Sequence, residues 1–211
     1  HKLVENAKKP NGFWGKMMIK AMNKGHSSLT SWGLEHMNIE RTATVLDIGC
    51  GGGKTVDRLC SIVANGKVYG IDYSELSVKS SEKLNSKNIL CNKAKILQAS
   101  VSDMPFDDNT FDNITAVETY YFWPDKENDV KEVFRVLKQG GTVMLLFEML
   151  RTDDDPFKWE KVENMLNIKS VTPQEIRSVL ESAGFENINT YTKEGTTWLC
   201  ATAQKPKDDE N

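Results

Sequence analysis

A glycine-rich segment at residues 49–53 separates two aspartates whose spacing could hold a nucleoside. Asp47 lies just before this segment, and Asp72 ends the next apolar run of the chain. Glycines there would let a ligand approach the backbone closely, because they carry no side chain. A carboxylate offers two acceptor oxygens and no donor, so it can accept both hydroxyls of a ribose. The pattern therefore favours a site for a ribose-bearing ligand with a small cationic amino-acid part.

Two phosphate-binding motifs come close to fitting this segment, and each misses it by one position. Gly53-Lys54-Thr55 would end a Walker A loop, but the first glycine of that motif falls on Ile48. A dinucleotide fingerprint that starts at Gly49 needs its third glycine at position 54, which is Lys54. A plain tight turn between a strand and a helix remains the alternative to a ligand site.

The elements around the segment alternate between strand and helix over residues 43–147. Short apolar runs bounded by turn residues are typical of buried strands, and apolar residues spaced i, i+3, i+4, i+7 from Val56 indicate a helix. A later helix is expected to end at Gly140-Gly141. Such alternation predicts right-handed crossovers and a mostly parallel sheet, which binds ligands at the carboxyl ends of its strands. We therefore expect the functional residues directly after positions 48, 71, 99, 117 and 147.

The flanking regions predict three further parts of the chain. Residues 1–40 precede the first strand and carry apolar residues at helical spacing, which predicts an N-terminal helical cap. Residues 41–204 are expected to form the main domain, with a polar insertion or lid at 150–171 and a terminal antiparallel hairpin. The charged stretch 205–211 is expected to be a disordered tail.

Composition excludes several classes of protein. The chain has 211 residues, of which 39% are hydrophobic and 27% charged, and this suits a medium-sized globular domain. A net charge of −3 gives no basic excess for nucleic acid or an anionic membrane, and no apolar run is long enough for a membrane span. The four cysteines form no C-x-x-C pair and the three histidines form no metal cluster. We expect free thiols, no bound metal and a cytoplasmic location.

Four motifs with more specific patterns follow one another along the chain. They are the glycine loop at 45–53, a strand end at 71–74, the segment MPFDDNTFD at 104–112 and the helix end EVFRVLKQGG at 132–141. Together they resemble the class I S-adenosylmethionine-dependent methyltransferases, in particular the small-molecule "methyltransferase domain 11" type. The resemblance covers about residues 43–148. It implies an α/β fold with a doubly wound seven-stranded sheet of order 3-2-1-4-5-7-6, strand 7 antiparallel, and methyl transfer from S-adenosylmethionine to a small-molecule acceptor.

The resemblance assigns the cofactor to residues at the strand ends. These are Asp47, Gly49, Cys50, Gly51, Asp72, Tyr73, Ser100, Val101 and Val117. Asp72 is expected to bind the ribose, and Val101 to pack against the adenine. Ser100 stands where family members usually carry an acidic residue for the adenine amino group; its hydroxyl can still accept a hydrogen bond from that amino group, but without a charge. Gln139 replaces the family's usual proline, which affects only a turn.

The residues after the fourth predicted strand are the candidates for binding the methyl acceptor. A sulfonium donor is already activated, so in-line displacement needs mainly alignment and exclusion of water, and often no strong base. Residues 118–125 contain four consecutive aromatic side chains, which can line a pocket, contact a sulfonium by cation–π attraction, or pack in the core. The expected substrate contacts are Trp14, Tyr120 and Trp123. The expected catalytic residues are Glu118, His26 and Tyr121.

Two other functions are compatible with the same fold. One is S-adenosylmethionine binding without methyl-transfer turnover. The other is aminopropyl transfer, which would be expected to need additional acidic residues for a polyamine after the fourth strand, where aromatic residues predominate. The sequence indicates no nucleic-acid or membrane partner and leaves the oligomeric state open.

Overall fold

The structure, a computed structural model, describes residues 27–207 of the chain. The helices of this part are α1 (Ser27–Leu34), α2 (Lys54–Ile62), α3 (Glu75–Leu84), α4 (Ser86–Leu90), α5 (Lys126–Val136), α6 (Glu160–Leu166) and α7 (Pro173–Ser182). The strands are β1 (Thr44–Ile48), β2 (Lys67–Asp72), β3 (Ala94–Gln98), β4 (Phe111–Val117), β5 (Leu137–Phe147), β6 (Glu186–Thr192) and β7 (Leu199–Gln204). A short 3-10 turn, Tyr120–Phe122, follows β4.

The strands form one seven-stranded sheet in the order β3-β2-β1-β4-β5-β7-β6. β7 runs antiparallel to both β5 and β6, and the other neighbouring pairs are parallel. This confirms the predicted fold, including the antiparallel hairpin. The strand order reverses direction between β1 and β4, so a crevice opens beside their carboxyl ends, where open α/β sheets bind ligands.

The sheet is covered by helices on both faces because its central strands are apolar throughout. In β1, every residue after Thr44 is buried. On one face, α2 contributes buried side chains at i, i+3 and i+4, namely Val56, Leu59 and Cys60. On the other, α5 and α7 pack against the larger part of the core, which includes Phe111 and Phe147. Such two-sided burial holds the strand ends in fixed positions at the crevice.

The boundary between α5 and β5 differs from the expectation. The prediction that α5 ends at Gly140-Gly141 is wrong, because the helix ends at Val136 and β5 begins at Leu137. Gly140 and Gly141 instead lie within β5. A Cβ on Gly141 would lie only 2.9 Å from Leu137 Cδ1 and 3.0 Å from the Asp112 carbonyl oxygen, so the close approach of backbones there requires glycine.

The start of the predicted disordered tail is ordered. Lys205 is only 5% exposed, and its ammonium group donates hydrogen bonds to Asn109 Oδ1 at 2.8 Å and to the carbonyl oxygens of Phe134 and Leu137 at 2.8 and 2.9 Å. A cation is favourable at the C-terminus of a helix, where backbone carbonyls lack intrahelical partners. Lys205 therefore fastens the chain to the end of α5, and the expectation of disorder is wrong at this residue.

The described part of the predicted N-terminal cap, residues 27–40, packs on β5 through α1. A Cβ on Gly33 would lie 2.6 Å from Leu146 Cδ2, so this glycine lets the helix approach the strand closely. Trp32 lies 5.9 Å from Trp198, measured between ring centroids. The candidate site residues Trp14 and His26 lie outside the described residues.

The two ends of the insertion at 150–171 pair with each other. Leu150 and Val171 form a parallel bridge, and the indole N–H of Trp159 donates to the Leu150 carbonyl oxygen at 3.0 Å. Ile168 is buried against the main core, whereas Met165 is 52% exposed. The insertion is thus anchored at its base and brings residues near position 168 to the crevice.

Candidate functional site

A cavity of about 460 Å³ lies at the carboxyl ends of the central strands, within the range of roughly 300–1,000 Å³ usual for small-molecule sites. Its walls come from β1, β2, the loops after β3 and β4, and the insertion. The lining residues are Ile48, Gly49, Ile71, Asp72, Tyr73, Ala99, Ser100, Val101, Thr119, Tyr121, Phe122, Trp123, Pro124, Asn167 and Ile168. Of the nine predicted cofactor residues, the structure brings five to this wall: Gly49, Asp72, Tyr73, Ser100 and Val101.

The carboxylate of Asp72 is held by backbone amides on either side. The N–H of Gly51 donates to Oδ2 and the N–H of Ser74 to Oδ1, both at 2.9 Å. Burial raises the pKa of Asp72, and the Ser74 and Gly51 N–H groups oppose that rise because they stabilise the charged form. The Ser77 side chain also hydrogen-bonds this carboxylate, and the roughly four acceptor sites of a carboxylate leave capacity for a further hydrogen bond from a ligand hydroxyl.

The glycine loop turns sharply over the end of β2. The N–H groups of Gly49 and Cys50 both donate to the Ile71 carbonyl oxygen, at 2.8 and 2.9 Å. Gly49 has φ +69°, and a Cβ there would lie 2.2 Å from Thr119 Oγ1. The loop therefore requires glycine at this position both for its backbone conformation and for its contact with the loop after β4.

Asp47 is buried next to the glycine loop and does not line the cavity. It is 2% exposed, and the hydroxyl of Thr115 donates to its Oδ1 at 2.7 Å. Burial raises the pKa of Asp47 to about 7, the Thr115 hydrogen bond opposes the rise, and the charge of Asp72 adds to it. The role left to this carboxyl is to hold β1 and β4 together beneath the loop.

Three other predicted residues also lie away from the cavity wall. The buried thiol of Cys50 is directed to Ser81, with Sγ 3.8 Å from Oγ. Val117 packs with the core beneath α1. Gly51 contributes through its hydrogen bond to Asp72 rather than as a wall residue.

The loop after β3 supplies the part of the wall with small side chains. Val101 is 7% exposed and Ala99 lies beside it, so both offer an apolar surface. Ser100 Oγ accepts a hydrogen bond from the Ser102 N–H at 3.2 Å. Tyr73, at the opposite rim, is 41% exposed. This combination suits a flat, uncharged ring.

The aromatic stretch is divided between cavity and core by its 3-10 turn. Tyr121, Phe122 and Trp123 line the cavity. Tyr120, a predicted substrate contact, does not line it, and its ring packs 5.7 Å from Phe147 and 5.2 Å from Trp123. The structure thus brings Trp123 and Tyr121 to the cavity and places Tyr120 behind them.

Glu118 and Tyr121 form a small hydrogen-bonded network behind the wall. The Tyr121 hydroxyl donates to Glu118 Oε1 at 3.4 Å and accepts from the Met149 N–H at 3.0 Å. Glu118 also accepts from the Glu148 N–H, and its backbone has φ +58°, an uncommon conformation for a non-glycine residue. Burial raises the pKa of Glu118 to about 8, although the Glu148 N–H opposes this. Glu118 can therefore hold a proton near neutral pH, next to the Tyr121 phenol.

Several wall residues were not predicted from the sequence. Thr119, Phe122, Pro124, Asn167 and Ile168 all line the cavity. Phe122 and Pro124 lie within the aromatic stretch 118–125, but the sequence does not show which side chains of that stretch face the cavity. Asn167 has φ +51° at the end of α6, and no local pattern connects it with strand ends that are distant in sequence.

Between residues 27 and 207, no group of three or more His, Cys, Asp or Glu side chains is arranged to hold a metal ion. In the same part of the chain, none of the helices combines the length and the apolar character that crossing a membrane requires.

The amino-acid sequence of the chain is similar to those of known proteins. Residues 46–145 match the family described as a methyltransferase domain. The chain is 27% identical over 183 residues to an uncharacterized methyltransferase, YdaC, of Bacillus subtilis (strain 168), covering 86% of this chain and 93% of that protein. It is 30% identical over 181 residues to the ubiquinone/menaquinone biosynthesis C-methyltransferase UbiE of Cronobacter sakazakii, covering 74% of this chain and 72% of the relative.

Solved structures extend the comparison to the fold. The crystal structure of a SAM-dependent methyltransferase from Aquifex aeolicus superposes with a TM-score of 0.69 and 21% identity, covering 89% of this chain and 97% of the other. Several other curated methyltransferases that the chain matches are longer, and it spans between 28% and 51% of their length.

Proposed function

The chain belongs to the class I S-adenosylmethionine-dependent methyltransferases, and from that premise we propose that it methylates a small molecule by in-line displacement, mainly through positioning. The observation that carries the proposal is that one cavity is lined both by Asp72 and by the aromatic residues after β4. The region around Asp72 suits the family's cofactor, and the aromatic region suits an acceptor. The relative named for ubiquinone/menaquinone biosynthesis supports a small-molecule acceptor rather than a polymer.

The residues present fit S-adenosylmethionine. Asp72 lines the cavity with a carboxylate that keeps acceptor capacity, and Gly49 lines it without a side chain. Val101 and Ala99 provide an apolar surface for a base, with Ser100 as a neutral polar neighbour. When bound, the cofactor supplies a methyl group activated by the positive charge of its sulfonium.

The protein's own contribution is alignment. We propose that Tyr121, Phe122 and Trp123 hold the acceptor and exclude water, since displacement is fastest when the reacting atoms are held in line at contact distance. Where the acceptor must lose a proton, our candidate to receive it is the ionised form of Glu118, acting through the Tyr121 hydroxyl that donates to it, and this form predominates only above about pH 8. His26 stays a candidate base from the sequence alone.

Aminopropyl transfer is less well supported by the arrangement. It would need carboxylates directed at a polyamine on the acceptor side. Glu118, which has the right position in sequence, is instead engaged by the Glu148 N–H and Tyr121 and does not line the cavity. S-adenosylmethionine binding without turnover remains the alternative that an experiment must separate from methyl transfer.

A methyl-transfer screen tests the proposal directly. The purified protein is incubated with S-adenosylmethionine carrying a labelled methyl group and with fractionated metabolites, and products are identified by mass spectrometry. We expect a labelled small-molecule product that is lost in Asp72→Ala and retained in Asp107→Ala, a matched change of an exposed aspartate. Cofactor binding by calorimetry without any labelled product would favour the binding-only alternative.

A further inference from the structure

The cavity wall has two parts of different electrical character. Among the described residues, its one carboxylate, Asp72, lies in the part formed by β1, β2 and the loop after β3. The other part, called the acceptor wall below, consists of Thr119, Tyr121, Phe122, Trp123, Pro124, Asn167 and Ile168. Three aromatic rings, a proline and an isoleucine make up most of it. Its polar groups are the hydroxyls of Thr119 and Tyr121, the amide of Asn167 and the indole N–H of Trp123, which has no hydrogen-bond partner among the residues that the structure describes.

The acceptor wall offers no counter-ion within the described part of the chain. Its one titratable group is Tyr121, and burial holds the pKa of that phenol well above its ordinary value, so it stays neutral. Its hydroxyl already accepts from the Met149 N–H and donates to Glu118. Glu118 lies behind the phenol, and the rise of its pKa to about 8 keeps this carboxyl largely protonated at neutral pH.

We propose that the acceptor wall selects a molecule that is uncharged at neutral pH, with an apolar ring system and a hydroxyl or carbonyl group; this inference rests on the proposed function. Moving a charged group from water to a site without a partner charge costs far more than moving an apolar ring, which gains free energy on burial. Aromatic rings also prefer tilted or offset packing against other rings, which Phe122 and Trp123 can provide. Thr119 and Asn167 can meet a neutral oxygen without requiring a charge.

Three probes of similar size separate the effect of charge on binding from the effect of shape. Naphthol is neutral at about pH 7, naphthoate is an anion and naphthylmethylammonium is a cation. Their affinities are measured by calorimetry on the full chain saturated with S-adenosylhomocysteine, the demethylated product. We expect naphthol to bind at least about tenfold more tightly than either charged probe, a difference of about 1.4 kcal/mol. Equal or tighter binding of a charged probe, or no binding of naphthol, overturns the proposal.

A substitution in the acceptor wall gives an independent test. Phe122 is half-buried and lines the cavity, so Phe122→Arg should place a cation there, with Phe122→Leu as the neutral control. We expect Phe122→Arg to reverse the preference in favour of naphthoate, while Phe122→Leu keeps the preference for naphthol. If Phe122→Arg does not fold, as judged by its thermal transition, the wild-type probe series decides alone.

The same experiment distinguishes this inference from the proposed function. The titration with S-adenosylhomocysteine that precedes each probe reports the cofactor side. Failure of that titration in the wild-type protein contradicts the proposed function. A normal titration followed by preference for a charged probe contradicts only the inferred acceptor class.

Discussion

The backbone N–H of Gly51 donates a 2.9 Å hydrogen bond to Oδ2 of Asp72 and so joins the glycine loop to the end of β2. The two residues are 21 positions apart in sequence, yet a single carboxylate sets the distance between the turn and the strand end. Because Ser74 holds the other oxygen, the carboxylate cannot rotate freely. The group that we assign to the ribose is therefore fixed before any ligand binds.

Removal of this carboxylate should weaken cofactor binding. We expect Asp72→Ala to reduce the affinity for S-adenosylmethionine by about 1.5–3 kcal/mol, the range for hydrogen bonds to a charged group. Calorimetric titration measures the change, with the exposed Asp107→Ala as the control. Unchanged affinity in Asp72→Ala would falsify the ribose assignment.

Substitutions of Gly49 and Gly51 should lower the stability of the fold to different extents. Gly49→Ala should destabilise the fold, because the new Cβ would lie 2.2 Å from Thr119 Oγ1 and because φ +69° costs a non-glycine residue about 1–3 kcal/mol. A Cβ at Gly51 meets nothing closer than the Gly49 carbonyl oxygen at 3.9 Å. Gly51→Ala has no such clash but still places a non-glycine residue at φ +51°, so it should lose less stability than Gly49→Ala and affect cofactor binding only through the Gly51 N–H bond to Asp72.

Thermal unfolding and calorimetry of both variants check this contrast. Adding Thr119→Gly to Gly49→Ala removes the clashing side chain and should recover part of the lost stability. A double variant that is no more stable than Gly49→Ala would show that the backbone conformation, and not the contact with Thr119, limits this position.

Tyr121 should matter more for turnover than for cofactor binding. Tyr121→Ala removes an acceptor-side ring, so we expect kcat to fall by at least about tenfold while the affinity for S-adenosylmethionine changes much less. Tyr121→Phe keeps the ring but leaves the Met149 N–H without its acceptor, which should cost about 1–3 kcal/mol of stability. Equal losses in kcat and cofactor affinity for Tyr121→Ala would place the residue in the cofactor site instead.

Stability without ligand should fall as pH rises from about 5 to 8. Burial raises the pKa values of Asp47 to about 7 and Glu118 to about 8, above those of the unfolded chain. In this range the folded protein binds more protons than the unfolded chain, so the free energy of unfolding decreases with pH. The stabilising contribution is complete below the unfolded values near 4 and is lost as pH passes through 7 and 8.

Chemical denaturation at a series of pH values measures this slope. Glu118→Gln cannot titrate, so its free energy of unfolding should depend less steeply on pH between about 6 and 8. Glu186→Gln, at an exposed position of β6, should retain the wild-type slope. A Glu118→Gln profile parallel to that of the wild type would contradict the raised pKa.

Lys205 should contribute strongly to stability despite its place in a charged stretch. Lys205→Met keeps most of the chain length but leaves the Phe134 and Leu137 carbonyl oxygens without their charged donor, which should cost about 1.5–3 kcal/mol. Lys207→Met, at an exposed position, is the control. The free energy of unfolding in urea checks the difference, and similar values for the two variants would show that the buried ammonium contributes little.

The parts of the site that are local in sequence could be predicted. The glycine loop after β1 and Asp72 at the end of β2 follow from a strand, a turn and a helix in immediate succession. Strand–helix alternation predicted a mostly parallel sheet, whereas its strand order was implied only by the resemblance to the family. Tyr120 and Tyr121 could not be told apart, because a 3-10 turn rotates successive side chains by about a third of a circle. Both rings pack against Phe147, and only the tertiary fold shows that Tyr121, and not Tyr120, also lines the cavity.

Other features depend on contacts that no short pattern contains. Asn167 and Ile168 reach the cavity because the insertion closes on Leu150 and Val171, not because of their own neighbours. Lys205 is a charged residue among charged residues, and its burial depends on carbonyl groups about 70 positions earlier. Such partners are set by the tertiary fold, so local composition predicted solvent exposure instead.

The place of β7 between β5 and β6 has a consequence for synthesis on the ribosome. β7 is made after β6 but lies between β6 and β5, so neither neighbour can complete its pairing until residues 199–204 have emerged. Until then, β5 presents an unpaired apolar edge, which is a template for association with other chains. Stalled or truncated products that end before β7 should therefore aggregate, and protection of the nascent chain at that stage should govern its yield.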